Sequence, residues 1–298
     1  MMNSLRAALG RWTRPRCEFP GIEEKLDQLK INQGILLNEM HATKASQNLK
    51  DFEYKVFSQW GEDGIIQRLI RLVEPQNRTF VEFGVEDFSE SNCRYLLMKD
   101  NWSGFVMDGS AANMERLKHS YYYWRYDLQA VSAFITRENI NGFIAQSGFG
   151  RELGVLSIDV DGNDYWVWES IDSVSPAITI VEYNASFGSD RAVTIPYKAD
   201  FFRTTAHSSN LYYGASLPAL CFLGKRKGYA FVGCNSAGNN AFFIREDLRP
   251  RDLPELTAKE GFVRSKFRES RSADGTLAFL SKNEEAEILK QLPVVEVE

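Results

Sequence analysis

Thr79-Phe-Val-Glu-Phe-Gly-Val-Glu86 decides how this chain is read. It is a run of apolar and aromatic residues with one carboxylate inside, broken by Gly84 and closed by Glu86. A buried parallel strand has this composition, and the glycine lets the backbone turn tightly at the strand's carboxyl end. Open α/β sheets bind ligands at that edge. Glu82 and Glu86 would there face a small molecule bearing hydroxyl or amino groups rather than a phosphate.

The pattern recurs downstream. Gly104-Phe-Val-Met-Asp108 reads as a second strand ending in an acid. Such an acid can hold a ribose diol, and it can equally serve as a turn or N-cap residue. Ala130 to Phe134 is a candidate third strand, followed by a helix through Ile140 and Ile144. Gly154 to Ile158 runs into Asp159, Asp161 and Asp164, with Asn163 among them. Clustered acids repel and raise one another's pKa, which favours a binding role for Asp159 and Asp161. Asp164 is explained as an N-cap. A fifth strand, Ala177 to Val181, ends in Glu182-Tyr183-Asn184, and Tyr229–Val232 and Ala241–Ile244 give two more.

Ahead of the first strand, Ser58-Gln59-Trp60-Gly61-Glu62-Asp63-Gly64 leads into a helical pattern, Ile65, Ile66, Leu69, Ile70 and Leu72. Glu62 and Asp63 would complement the helix dipole, a role that leaves Gln59 and Trp60 unexplained. The stretch from Ala185 to Ser209 has the length of a substrate wall and carries His207, one of three histidines. Asn210 to Lys227 is expected to be helical.

Composition narrows the function classes. A net charge of −5 gives no general attraction to nucleic acid. Cys17, Cys93, Cys221 and Cys234 show no zinc spacing and read as reduced thiols of a cytoplasmic protein. No apolar run reaches the length of a transmembrane segment. Met1 to Arg16 reads as a basic tail. Ile22, Leu26, Leu29, Leu36 and Met40 follow a heptad if Gln33 fills the missing seat, interrupted by Gly34. That segment is either a homodimerising coil through 22–40 or a helix lying across the main domain. Residues 1–50 thus form an N-terminal extension, 51–250 the catalytic domain, and 251–298 a peripheral tail.

Phe80-Val-Glu-Phe-Gly-Val-Glu86, Gly104-Phe-Val-Met-Asp108, Leu156-Ser-Ile-Asp-Val-Asp-Gly162 and the preceding Ser58-Gln59-Trp60-Gly61-Glu62-Asp63 resemble the successive motifs of FkbM-type class I methyltransferases. The resemblance covers roughly residues 55 to 245. It implies a Rossmann-like, seven-stranded, mostly parallel sheet whose last strand runs antiparallel, with S-adenosylmethionine across the ends of the first strands. Gln59, Glu82, Gly84, Glu86, Asp108 and Asp159 would line the cofactor, Asp108 accepting from the ribose hydroxyls. Asp161 and His207 are the candidates to remove a proton from a hydroxyl acceptor. Asp159, Asp161, Glu182 and Asn184 would supply oxygen ligands to Mg²⁺, as in catechol-type O-methyltransferases. The sequence departs from the family where Glu86 and Phe88 replace the usual second and third glycines. The implied activity is O-methylation of a sugar, glycan precursor or similar polar metabolite.

Two other readings compete. Asp159-Val160-Asp161 is also a DxD that could hold the metal of a glycosyltransferase, although Glu82 and Asp108 then go unexplained. A non-catalytic scaffold dimerising through residues 22–40 does not account for acids at three strand ends. An NAD-dependent oxidoreductase is disfavoured, because Gly84 is followed by Val85, Glu86 and Asp87 rather than by G-x-G-x-x-G.

Overall fold

The computed structural model describes residues 21–297; the basic tail and Cys17 lie outside them. Helix α1 (Ile22–Ala42) precedes α2 (Glu62–Val73), after which strands and helices alternate: β1 (Thr79–Phe83), α3 (Arg94–Asp100), β2 (Ser103–Asp108), α4 (Ala111–Lys118), β3 (Leu128–Ser132), α5 (Ile140–Gln146), β4 (Glu152–Ile158), α6 (Asp164–Ser170) and β5 (Ser175–Glu182). Then come β6 (Val193–Thr194), α7 (Arg203–Ala206), α8 (Leu217–Arg226), β7 (Tyr229–Cys234), β8 (Asn240–Arg245), α9 (Ala258–Gly261), α10 (Lys282–Lys290) and β9 (Val295–Glu296).

Seven strands make one sheet in the order β3-β2-β1-β4-β5-β8-β7. The first five run parallel, and β8 enters antiparallel between β5 and β7. This is the mostly parallel Rossmann-like sheet that the sequence implies, with its last strand reversed. Strand order changes direction between β1 and β4, which creates the crevice where open α/β sheets take ligands.

Side-chain alternation divides the core into two layers. Phe80 of β1 packs with Val106, Val155, Ile178 and Phe242 under α2 and α3. Val81 and Phe83 pack on the other face with Phe105, Leu156, Trp168 and Phe243. Both faces are covered, which is why β1 shows an apolar run rather than polar–apolar alternation.

Several boundaries differ from expectation. The third strand starts at Leu128, two residues earlier than the apolar run suggested, and only Leu217–Arg226 of the stretch from Asn210 is helical. Pro218 at the start of α8 and the Ser216 side chain, which accepts from Ala219 N–H, set that helix's first turn. Residues beyond 251 are less peripheral than expected. α10 packs on the short helix after β5, and β9 pairs with β6.

Of the two expected arrangements of α1, the structure shows the helix lying across the main domain. Asp27, Ile31, Gly34 and Asn38 are buried against the main domain, while the expected heptad residues are exposed. Gly34 permits the contact, since a Cβ there would lie 2.6 Å from both the Tyr95 hydroxyl and Val56. Asp27 forms a buried ion pair with Arg94 of α3 at 2.5 Å and accepts from the Tyr121 hydroxyl at 2.8 Å. The Arg94 guanidinium is stacked between Phe57 and Tyr122, each 4.2 Å away. That gives Tyr121 and Tyr122, in the aromatic-rich run Tyr121 to Tyr126, their place in the fold.

Candidate active site

One cleft of about 1030 Å³ opens at the carboxyl ends of β1, β2, β4 and β5, across the switch point. Gln59, Glu82, Gly84, Glu86, Asp108 and Asp159 all line it, together with Asp161 and Glu182.

The β1 loop is shaped by backbone constraints. Gly84 has φ +68°, and a Cβ at this position would lie 1.6 Å from the Asp159 carbonyl oxygen. Only glycine fits such an approach between the ends of β1 and β4. Glu86 and Phe88, which stand where the family pattern has glycines, adopt φ of 47° and 65°. The left-handed backbone is therefore kept without glycine. Asp108 secures part of it, accepting from Glu86 N–H at 2.9 Å and Ser110 N–H at 2.7 Å. Asp108 is thus a turn residue and a cleft residue at once.

Glu82 clasps the approach to α3. Its carboxylate accepts from the Ser91 hydroxyl at 2.5 Å, Asn92 N–H at 2.8 Å and Cys93 N–H at 3.2 Å. Burial pushes its pKa up to about 7, and these donors offset the burial only in part.

The acids at the starts of α2 and α6 share a logic that dipole compensation does not capture. Asp63 Oδ2 accepts from Val56, Phe57 and Ser58 N–H at 2.7–2.8 Å and from the Ser58 hydroxyl at 2.8 Å. Glu62 Oε2 accepts from Trp60 and Gly61 N–H at 2.9 Å. Its Oε1 accepts from the amides of Asn235 at 2.6 Å and Asn240 at 3.0 Å. Together these acids hold the loop that carries Gln59 and Trp60 to the cleft. Asp164 does likewise for the loop after β4, accepting from Val160 N–H at 2.8 Å and Gly162 N–H at 3.0 Å. Each acid bonds backward into the preceding loop.

Carboxyl oxygens of Asp159, Asp161 and Glu182 lie within 4.8 Å of one another. Burial, reinforced by the neighbouring acids, holds Asp159 and Glu182 well above the usual carboxyl range. Glu182 Oε2 is buried with no hydrogen-bond partner. Carboxylate oxygens are the ligand type that Mg²⁺ takes, so these three acids are the residues that could hold such an ion. Asp161, at φ 52°, is committed to an ion pair with Arg203 at 2.7 Å, and Arg203 also reaches Glu269 at 2.5 Å.

Two expected site residues fall elsewhere. His207 does not line the cleft; its Nδ1 lies 2.8 Å from the Ser209 hydroxyl. Asn184 is turned away as well. Its amide donates to the Leu211 and Tyr213 carbonyls at 2.8 and 3.0 Å, and its oxygen accepts from Ser186 N–H at 3.0 Å. With both ends of the amide engaged by backbone, Asn184 supports the wall rather than the ligand set.

Sequence reading also missed part of the wall. Phe267, Arg268, Glu269 and Arg271 come from the segment expected to be a tail, and Phe267 stacks on Trp60 at 5.1 Å with an 11° interplanar angle. No periodicity marks that segment. Trp60, a large aromatic next to a polar helix start, was the available clue.

No family model and no curated protein matches the chain. Among solved structures, it is similar to the N-terminal domain of EvdMO1 with S-adenosylhomocysteine (SAH) bound, at 8% identity over 72% of this chain and 94% of that one, TM-score 0.39. It is also similar to the O-methyltransferase from Bacillus cereus in complex with SAH, at 9% identity over 72% and 89%, TM-score 0.38. A third is an S-adenosylmethionine-dependent methyltransferase from Clostridium acetobutylicum, at 10% identity over 73% and 98%, TM-score 0.37. Likenesses this loose assign neither activity nor substrate. Among the described residues, no helix is long and apolar enough to cross a membrane.

Proposed function

We propose that this chain is an S-adenosylmethionine-dependent methyltransferase that methylates a hydroxyl of a sugar, glycan precursor or similar polar metabolite. One observation carries the reading. The six positions that the FkbM-type resemblance assigns to the cofactor come from four separate segments, and all six line a single cleft at the topological switch point. Neither a DxD nor a dimerising scaffold requires that convergence.

Bound S-adenosylmethionine supplies a methyl group on a sulfonium, open to in-line attack by the acceptor oxygen. The chain's own work is then positioning and proton removal. Asp108, with each carboxylate oxygen already held by a backbone N–H, presents a fixed acceptor to a ribose diol. Gln59 and Trp60 form the rim on a loop anchored by Glu62 and Asp63. Glu182 and Asp159, adjacent carboxyls that line the cleft and are raised well above the usual carboxyl range by burial and by neighbouring acids, are the groups to take the hydroxyl proton. If Mg²⁺ is required, Asp159, Asp161 and Glu182 would hold it, and the ion would lower the hydroxyl pKa as a Lewis acid. Asp161 is less suited to act as base, because its carboxylate is paired with Arg203.

Thermal denaturation with SAH, NADH or UDP-sugars, each with and without Mg²⁺, tests the assignment. SAH is expected to raise the melting temperature by several degrees, with NADH inert. Stabilisation by a UDP-sugar plus Mg²⁺ alone would replace the reading with the glycosyltransferase one. A screen of hydroxylated acceptors, with and without EDTA, then separates metal-assisted transfer from proton removal by Glu182 or Asp159 alone.

A further inference from the structure

Helix α1 carries two stripes of different kinds. Asp27, Ile31, Gly34 and Asn38 face the domain; Ile22, Leu26, Leu29, Gln33, Leu36 and Met40 do not. At 100° per residue the two stripes are centred about 150° apart, so the second points almost directly away from the fold. Its apolar members are open to solvent, with Leu29 64%, Leu36 66% and Met40 71% exposed. Solvent-exposed leucines at a strict four–three spacing are the seam of a coiled coil waiting for a partner helix.

We propose that this stripe is a homodimer interface in which α1 of a second copy lies antiparallel on it. Spacing and charge support that arrangement. An antiparallel pair centred at residue 31 places Ile22 on Met40, Leu26 on Leu36 and Leu29 on Gln33 of the second copy, filling every layer of the seam. The flanking positions then bring Lys25 next to Glu39 of the second copy, twice by symmetry. Both residues are exposed, and neither has an ion-pair partner among the described residues. A parallel pair would instead set Lys25 against Lys30 of the second copy, a like-charge contact. Lys30, near the antiparallel twofold axis, is drawn back onto Asp27 at 3.6 Å.

Most helical stability comes from tertiary packing, so a helix that had to order on association would dimerise more weakly. Here the Asp27–Arg94 pair and the Gly34 contact already hold α1 folded on the domain, so the seam is preorganised. The same residues that fix the helix to its own chain thereby present the opposite face to another.

Sedimentation equilibrium of the full chain is the test. Twice the chain mass is expected at micromolar concentration. Leu36→Glu should weaken association at least a hundredfold, with the monomer's fold unchanged by circular dichroism because Leu36 makes no core contact. Lys25→Glu and Glu39→Lys should each weaken the dimer about tenfold, and the double exchange should restore it. Tightening by Lys25→Glu alone would overturn the antiparallel register. A monomer at every concentration would overturn the proposal, whether residues 1–20 or a lipid surface covers the stripe. So would a dimer indifferent to Leu36→Glu.

Discussion

Gly84→Ala is expected to collapse the cleft and destabilise the protein by about 4 kcal/mol, with loss of SAH binding. Two effects add. The left-handed backbone at φ +68° costs an L-residue about 1–2 kcal/mol. The new methyl would also sit 1.6 Å from the Asp159 carbonyl oxygen. A main-chain oxygen cannot yield as a side chain does, so the ends of β1 and β4 must part, adding about 1–3 kcal/mol or more. Separation displaces Asp159 and the loop from Val85 to Phe88 together. Urea denaturation and an SAH titration read the two consequences. An alanine variant with native stability and affinity would show that the close approach does not exist.

Asp63→Ala is expected to cost about 4 kcal/mol, an unusual loss for one acid at the start of a helix. Three buried N–H groups and the Ser58 hydroxyl would lose their common acceptor, at about 1–3 kcal/mol for each donor left unsatisfied, less what water recovers. Asp63→Asn keeps an acceptor oxygen and should lose less than half as much. Burial raises the Asp63 pKa from 3.8 to about 6. Between those values the folded state holds a proton that the unfolded chain has released, so stability falls as pH rises across that window and levels off above it. Asparagine cannot titrate and should remove that slope. Equal losses for alanine and asparagine would mean that the loop bonds contribute little.

What the sequence discloses depends on whether a residue acts locally or through distant partners. Glu82, Gly84, Asp108 and Asp159 each end a strand, and parallel sheets bring strand ends to one edge, so their convergence was legible. Glu62 and Asp63 were legible as first-turn acids, but their bonds to Asn235, Asn240 and the Val56–Ser58 backbone depend on a loop path that no local pattern encodes. Asn184 shows the reverse error: a polar residue at a strand end is the right type for a ligand, yet its amide is consumed by Leu211 and Tyr213. His207 was singled out for its chemistry alone, without a positional argument. Arg203 and Phe267 were missed because they enter the cleft from a four-residue helix and an irregular segment, neither with enough pattern for periodicity to mark. α1 was ambiguous for a physical reason, since one face is buried on the domain while the opposite face is apolar and exposed.

The central claim is that the cleft is an S-adenosylmethionine site with Asp108 at the ribose. Calorimetric titration with SAH tests it most directly, on the native chain and on Asp108→Ala in parallel. One SAH per chain is predicted, with affinity lowered about tenfold or more in the variant, as expected for a lost charge-assisted hydrogen bond and a loosened Glu86 loop. No heat of binding to the native chain, or equal affinity for both proteins, would contradict the account.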